Sequence, residues 1–239
     1  MSFAPWRSSF EASALRPLPA VSDHGIPEAW RAPLASSLAR FALGESGEGR
    51  IAREIWKVTL PGVDDDYRTA LGLFVAEEGR HGRILLTAVR ALGGEPLRHN
   101  WTEMLFRRGR RLLGTRLKLL VLLVAEVVSL ACYGALIQAL PNSPIRDALR
   151  QIREDETRHL AFHADLFRRW TQHPFAAAVF ATLFATIATA AAVTVILDHR
   201  ATWRLISRSP ASMARDFRSC TADALFAVLG TVPVPVPVR

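Results

Sequence analysis

A chain of 239 residues, half of them hydrophobic, is long enough to bury a large core and is neither a disulfide-stapled nor a disordered protein. Its net charge of +8 is carried almost wholly by arginine, with lysine only at Lys57 and Lys118, and suits an anionic partner such as phospholipid, a nucleic acid or an acidic carrier protein, or reflects a composition bias towards arginine alone. Cys132 and Cys220 form neither a framework nor a metal-site spacing and fit a reducing cytoplasm.

Residues 1–27 hold four prolines and no lasting periodicity, so an N-terminal arm on the surface is expected there, without a secretory signal. From Pro27 or Glu28 a helical pattern runs to about Thr59, where Pro61-Gly62 stops it. Leu34, Leu38, Phe41, Ala42, Glu45, Ala52, Ile55 and Trp56 share its stripe, while Gly44, Gly47 and Gly49 each weaken the helix by about 1 kcal/mol. A second helix opens at Asp64-Asp65-Asp66 and ends before Gly93-Gly94, with Tyr67, Leu71, Phe74, Val75, Glu78, His81 and Leu85 on its apolar side. After a looser segment containing Pro96 and Trp101, a third helix runs from Leu117 to Leu140. Glu126 is the only charge between Lys118 and Arg146, and a carboxylate in so apolar a run needs a partner or must become neutral. The fourth helix, capped at Ser143-Pro144, continues to Gln172 with Ile145, Leu149, Ile152, Glu156, His159, His163 and Leu166 on one side.

Two segments carry the chemistry. In Glu77-Glu78-Gly79-Arg80-His81 and in Glu154-Asp155-Glu156-Thr157-Arg158-His159 a glutamate precedes a histidine by three residues, which puts both side chains on one helix face. Each ligand glutamate follows another acid, and each histidine follows an arginine. If antiparallel helices meet at turns near residues 61 and 142, residues equally far from a turn lie at equal height. The midpoint of Glu78 and His81 then points to about residue 44, and that of Glu156 and His159 to about residue 126. Glu45 and Glu126 stand there, whereas Glu54 lies about half a turn round from Glu45.

The six residues Glu45, Glu78, His81, Glu126, Glu156 and His159 offer four carboxylates and two imidazoles, a set that suits two ions of iron or manganese. Metal-bound histidines usually donate their other ring nitrogen to a carboxylate, a carbonyl or water. Glu77 and Asp155 are placed to serve the opposite helix's histidine, with Arg80 and Arg158 balancing their charge. His163, one turn beyond His159, is expected beside the ligands rather than among them. Ser129 is the candidate catalytic residue, close enough to Glu126 to hydrogen-bond an oxygen ligand, and Tyr133 is expected in the core.

Glu77-Glu78-Gly79-Arg80-His81-Gly82 and Asp155-Glu156-Thr157-Arg158-His159 resemble the paired motifs of the ferritin-like di-iron carboxylate superfamily, and their flavour is closest to the soluble acyl-carrier-protein desaturases. The resemblance covers about residues 31–172. It implies an all-α, ferritin-like four-helix bundle whose reduced di-iron centre activates dioxygen, with electrons from a ferredoxin or other reductase. It departs from the desaturases in being shorter and in a closer spacing between the glutamates of the first and second helices. The expected activity is desaturation or oxygenation of a hydrophobic or carrier-bound acyl substrate; the alternative is a ferritin-like protein that handles iron or reduces peroxide. A homodimer fits either.

Beyond the bundle at 28–172, residues 173–229 are expected to add a long apolar helix and a short C-terminal helix from Ser209-Pro210. Phe175 to Leu197 contains no charge and has the length and the Trp and Arg flanks of a membrane span, yet a helix packed on the bundle accounts for the same residues and is preferred. Asp198 and His199 are expected to cap it. This leaves a cytoplasmic protein with a membrane surface as one of its partners. The tail 230–239 alternates proline with valine and is expected to be extended. No phosphate-binding glycine loop or nucleic-acid motif occurs, so no nucleic-acid partner is expected.

Overall fold

The computed structural model describes residues 2–45, 48–97 and 114–230. Among these the chain is all-α, without a strand. Its helices are α1 (Ala4–Ala14), α2 (Glu28–Glu45), α3 (Ile51–Glu54), α4 (Asp65–Ala91), α5 (Thr115–Ala139), α6 (Pro144–Trp170), α7 (Pro174–Asp198), α8 (Arg200–Leu205) and α9 (Pro210–Leu229). Their starts coincide with caps: Asp64 Oδ1 accepts from the Tyr67 amide at 2.7 Å, Ser143 Oγ from Arg146 at 3.2 Å, His173 Nδ1 from Phe175 at 3.2 Å and Ser209 Oγ from Ser212 at 3.1 Å. Each such cap is worth about 1 kcal/mol. Gly93, at φ 76°, ends α4, and a Cβ on the next residue, Gly94, would stand 2.7 Å from Ala35 Cβ, so the chain leaves α4 against α2 only because that position is glycine.

α2 lies along α4 and α5 along α6, while α9 fills the angle between α5, α6 and α7. The buried apolar residues divide into two clusters. One contains Tyr67, Phe74, Leu123, Val127, Phe162 and Leu166; the other contains Leu38, Leu85, Tyr133, Leu136, Leu149 and Ile152. Between them, on α4, α5 and α6, lies a buried layer holding Glu78, His81, Glu126, Glu156 and His159.

The arm expected at residues 1–27 contains a helix. Phe3, at the N-cap of α1, and Trp6, Phe10 and Ser13 within it recur at helical spacing and are all buried, and Pro5 falls in the first turn, where a missing amide costs nothing. α1 packs along α4, with its phenylalanines edge-on to Tyr67 and Phe162 and the Trp6 indole N–H donating to Asp165 Oδ2 at 3.0 Å. The single helix expected from Pro27 to Thr59 instead ends at Glu45, and short helical pieces follow from Glu48 to Lys57. Neither Gly44 nor Gly49 has an atom within 4 Å of where a Cβ would stand, so these glycines add backbone entropy without close packing in return.

α5 and α7 are both long and apolar enough to cross a bilayer; α5 is mostly buried in the protein, but only 17% of the most apolar stretch of α7 is. α7 turns Phe180, Phe184 and Ala188 inward against α5 and α9. Its opposite side, with Phe175 74% and Leu197 61% exposed, is uncovered. The expectation of a packed helix thus holds for one face. The readings of Trp101 and of the tail from residue 231 onward lie outside the described residues.

Candidate metal centre

The two Glu-x-x-His segments fall in the middle of α4 and α6 and are brought face to face. One ligand atom from each of Glu78, His81, Glu156 and His159 lies within 4.8 Å of the others, and all four residues are buried. His81 Nδ1 is 3.2 Å from Glu156 Oε1 and 3.6 Å from Glu78 Oε1; His159 Nδ1 is 2.8 Å from Glu78 Oε1 and 3.6 Å from Glu156 Oε2. Each histidine therefore meets the glutamate of both helices. Glu126 joins from α5, with Oε2 3.6 Å from His159 Nδ1. Glu45, the last residue of α2, is buried and accepts a hydrogen bond of 2.9 Å from the Tyr133 hydroxyl. Tyr133 is in the core as expected, but it also orients a candidate ligand. Glu54 lies away from this group, paired with Lys118 Nζ at 2.5 Å.

The outer ring nitrogens are held crosswise. His159 Nε2 is 2.9 Å from Glu77 Oε2 of α4, and His81 Nε2 is 3.3 Å from Asp155 Oδ2 of α6. An ionised carboxylate can only accept, so each Nε2 donates its proton outward, and Nδ1 is the ring nitrogen that faces the cluster. Arg158 binds Glu77 and also reaches Asp155 Oδ1 at 3.2 Å. Arg80 acts on both acids through its charge without a direct ion pair, for its guanidinium donates to the carbonyls of Ser13 at 3.2 Å and Pro17 at 2.7 Å. In its place stands Arg16, just beyond α1, which binds Asp155 and lies 3.1 Å from Glu77 Oε1, while Ser13 donates to Glu77. Sequence reasoning missed Ser13 and Arg16, whose partners lie at least 61 residues away.

These contacts set the charge states. Burial raises the Glu77 carboxyl, but His159, Arg158 and Ser13 outweigh it and hold the group well below the usual carboxylate range. Burial lowers His81, yet Asp155 and Glu156 bring it up to about 9. Glu45 is pushed well up by burial and then by the charge of Glu78, and Glu126 by burial and then by Glu156. The crowded carboxyls and imidazoles share protons among them, which divalent cations would displace.

No family model, curated protein or solved structure matches this chain. Its chemistry is therefore read from its own atoms. Glu78 Oε1, Glu126 Oε2, Glu156 Oε1, His81 Nδ1 and His159 Nδ1 are all buried without a hydrogen bond, even where 2.8 Å separates two of them. Leaving such atoms unsatisfied costs about 1–3 kcal/mol each. Groups that approach closely without bonding, each aimed inward, fit a shared cation. The donors also fit iron or manganese, and no thiolate stands among them. Ser129 is buried one turn beyond Glu126, but among the described residues no hydrogen bond links it to the cluster. His163 is buried on the same side of α6, with Nε2 4.0 Å from Glu126 Oε1.

Proposed function

We propose that this chain is a ferritin-like, non-haem di-iron oxidoreductase that uses dioxygen to desaturate or oxygenate a hydrophobic organic substrate. The observation that carries the reading is the reciprocal arrangement of the two motifs: each histidine is fixed on its outer nitrogen by the acid preceding the other motif's glutamate, and the inner atoms are left unbonded. In this reading α2, α4, α5 and α6 form the four-helix bundle, and Glu45, Glu78, His81, Glu126, Glu156 and His159 hold the metals. Bound iron supplies electrons to dioxygen and the oxidising power to break a C–H bond. Glu77 and Asp155 keep Nδ1 of each ring available, Tyr133 steadies Glu45, and the apolar clusters on either side exclude water. Hydroxylation consumes one dioxygen, two electrons and two protons and releases one water; desaturation consumes the same and releases two. The electrons come from an outside donor of the ferredoxin or reductase class.

The substrate is a hydrophobic small molecule or an acyl chain on a carrier, and the uncovered side of α7 is the surface on which an anionic bilayer would be met. Phe175, Val179, Leu183, Val193 and Leu197 line that side without a charge, and the exposed Arg200 and Arg204 follow its end. The basic residues that follow it would then meet lipid phosphate.

Iron content after anaerobic purification with ferrous iron tests the centre. About two ions per chain are expected in the wild type, with a clear loss in Glu78→Ala and Glu156→Ala. Substrate-dependent oxygen consumption by the loaded protein would then separate an oxygenase from an iron-handling protein. A wild type that binds no metal ends this reading.

A further inference from the structure

Among the described residues, the other buried histidines each have a hydrogen-bonded ring nitrogen: His81 with Asp155, His159 with Glu77 and His199 with Ser37. His163 differs. It is fully buried, and neither Nδ1 nor Nε2 has a hydrogen-bond partner. Its ring is clamped by apolar neighbours, with Phe74 edge-on at 4.9 Å and Phe162 tilted at 5.2 Å, so its direction is fixed by packing. That direction brings Nε2 to 4.0 Å from Glu126 Oε1, too far for a hydrogen bond. Two ligand atoms each about 2.1 Å from one ion stand about 3–4 Å apart, which is the spacing seen here. His159 and His163 are four residues apart on α6 and so share a face, and Glu126 lies near both.

We propose that His163 is a seventh metal ligand, binding through Nε2 the ion that Glu126 holds, so that the two metal positions are chemically unequal. The inference rests on the two-metal reading above. The ion beside Glu126 would take His159 and His163, and the other would take His81. Imidazole favours iron over harder ions, whereas carboxylate suits manganese, so the position with two histidines selects iron more strongly and its partner is the more permissive of manganese. A histidine kept in an apolar cage only for packing would be replaceable by phenylalanine without consequence for either ion. The proposal predicts that it is not.

The experiment is an anaerobic titration of the metal-free protein with ferrous iron, for the wild type, His163→Phe and His163→Gln, followed by Mössbauer spectroscopy of the loaded samples. In the wild type two ions per chain and two unlike ferrous signals are expected. In His163→Phe, with circular dichroism and melting close to wild type, one ion should bind at least tenfold more weakly and one of the two signals should change. The glutamine variant, which is polar and smaller, decides in the same way if phenylalanine prevents folding. Equal affinity and an unchanged spectrum in a folded variant that still binds two irons would overturn the role of His163 and leave the two-metal reading standing. A wild type that binds no iron would instead remove that reading, and this inference with it.

Discussion

Arg16→Met removes a cation from outside the motifs that touches both carboxylates behind the histidines, while keeping most of the side chain's length. Arg16 is only 24% exposed, and its partners Glu77 and Asp155 are 6% and 2% exposed, so their charge is poorly screened by water. A hydrogen bond to a charged group contributes about 1.5–3 kcal/mol. Two such contacts are lost, but Arg158 continues to serve both carboxylates, and about 2–3 kcal/mol in all is expected. For a chain of this size that is a fall of about 5–10 °C in melting temperature. Because Glu77 and Asp155 orient His159 and His81, metal affinity should also fall by about 10- to 100-fold at both positions. Thermal melting of the metal-free protein and a metal titration read the two effects separately. Arg7→Met, which breaks solvent-screened pairs with Glu11 and Asp66, is the control and should cost at most about 1 kcal/mol and leave metal binding unchanged. A melt within a degree of wild type together with unchanged binding would refute the reasoning, for it would mean that α1 merely covers the site.

Glu54→Ala, which breaks only the pair with Lys118, should cost at most about 1 kcal/mol and keep both ions in a metal analysis, whereas Glu45→Ala should lose metal. Burial holds His199 down to about 4, against about 6.5 in an unfolded chain, so the unfolded state takes up its proton first. This contribution is absent above about pH 6.5 and grows to a loss of about 3 kcal/mol as pH falls to 4; in His199→Leu it should be missing, so that the gap in melting temperature from wild type narrows across that window. On the uncovered side of α7, Leu183→Glu with Val193→Glu should abolish sedimentation with phosphatidylglycerol vesicles; a wild type that stays in the supernatant would remove the bilayer as a partner.

The four motif residues were legible because helix geometry is local: a spacing of three fixes a shared face whatever the surroundings. Glu126 was legible because an isolated carboxylate in an apolar run has to be explained, and Glu45 because helix rise converts sequence distance into height. Equal heights hold for a helix unbroken as far as Thr59, yet Glu45 lies beside Glu78 although α2 stops with it. The contribution of α1 was not legible in the same way. Its signal, Phe3, Trp6 and Phe10 at intervals of three and four, was outweighed by the prolines around it, although Pro5 opens the helix rather than breaking it. Nothing local could pair Arg16 with Asp155, since that contact depends on how two distant segments pack. The exposure of α7 was hidden for another reason: where every face of a helix is apolar, periodicity carries no information about which face is covered.

The docking of α1 has a consequence for how the protein is made. α1 leaves the ribosome before α4, α5 and α6, yet Phe162 and Asp165, which receive its Phe10 and Trp6, are made about 150 residues after them. When α4 has emerged, His81 is present but Asp155 is not. Arg16 must wait through the synthesis of α5 and the first turns of α6 before both carboxylates it holds exist. A nascent chain therefore cannot fix either imidazole until α6 follows α5, when α1 can close over residues made long after it.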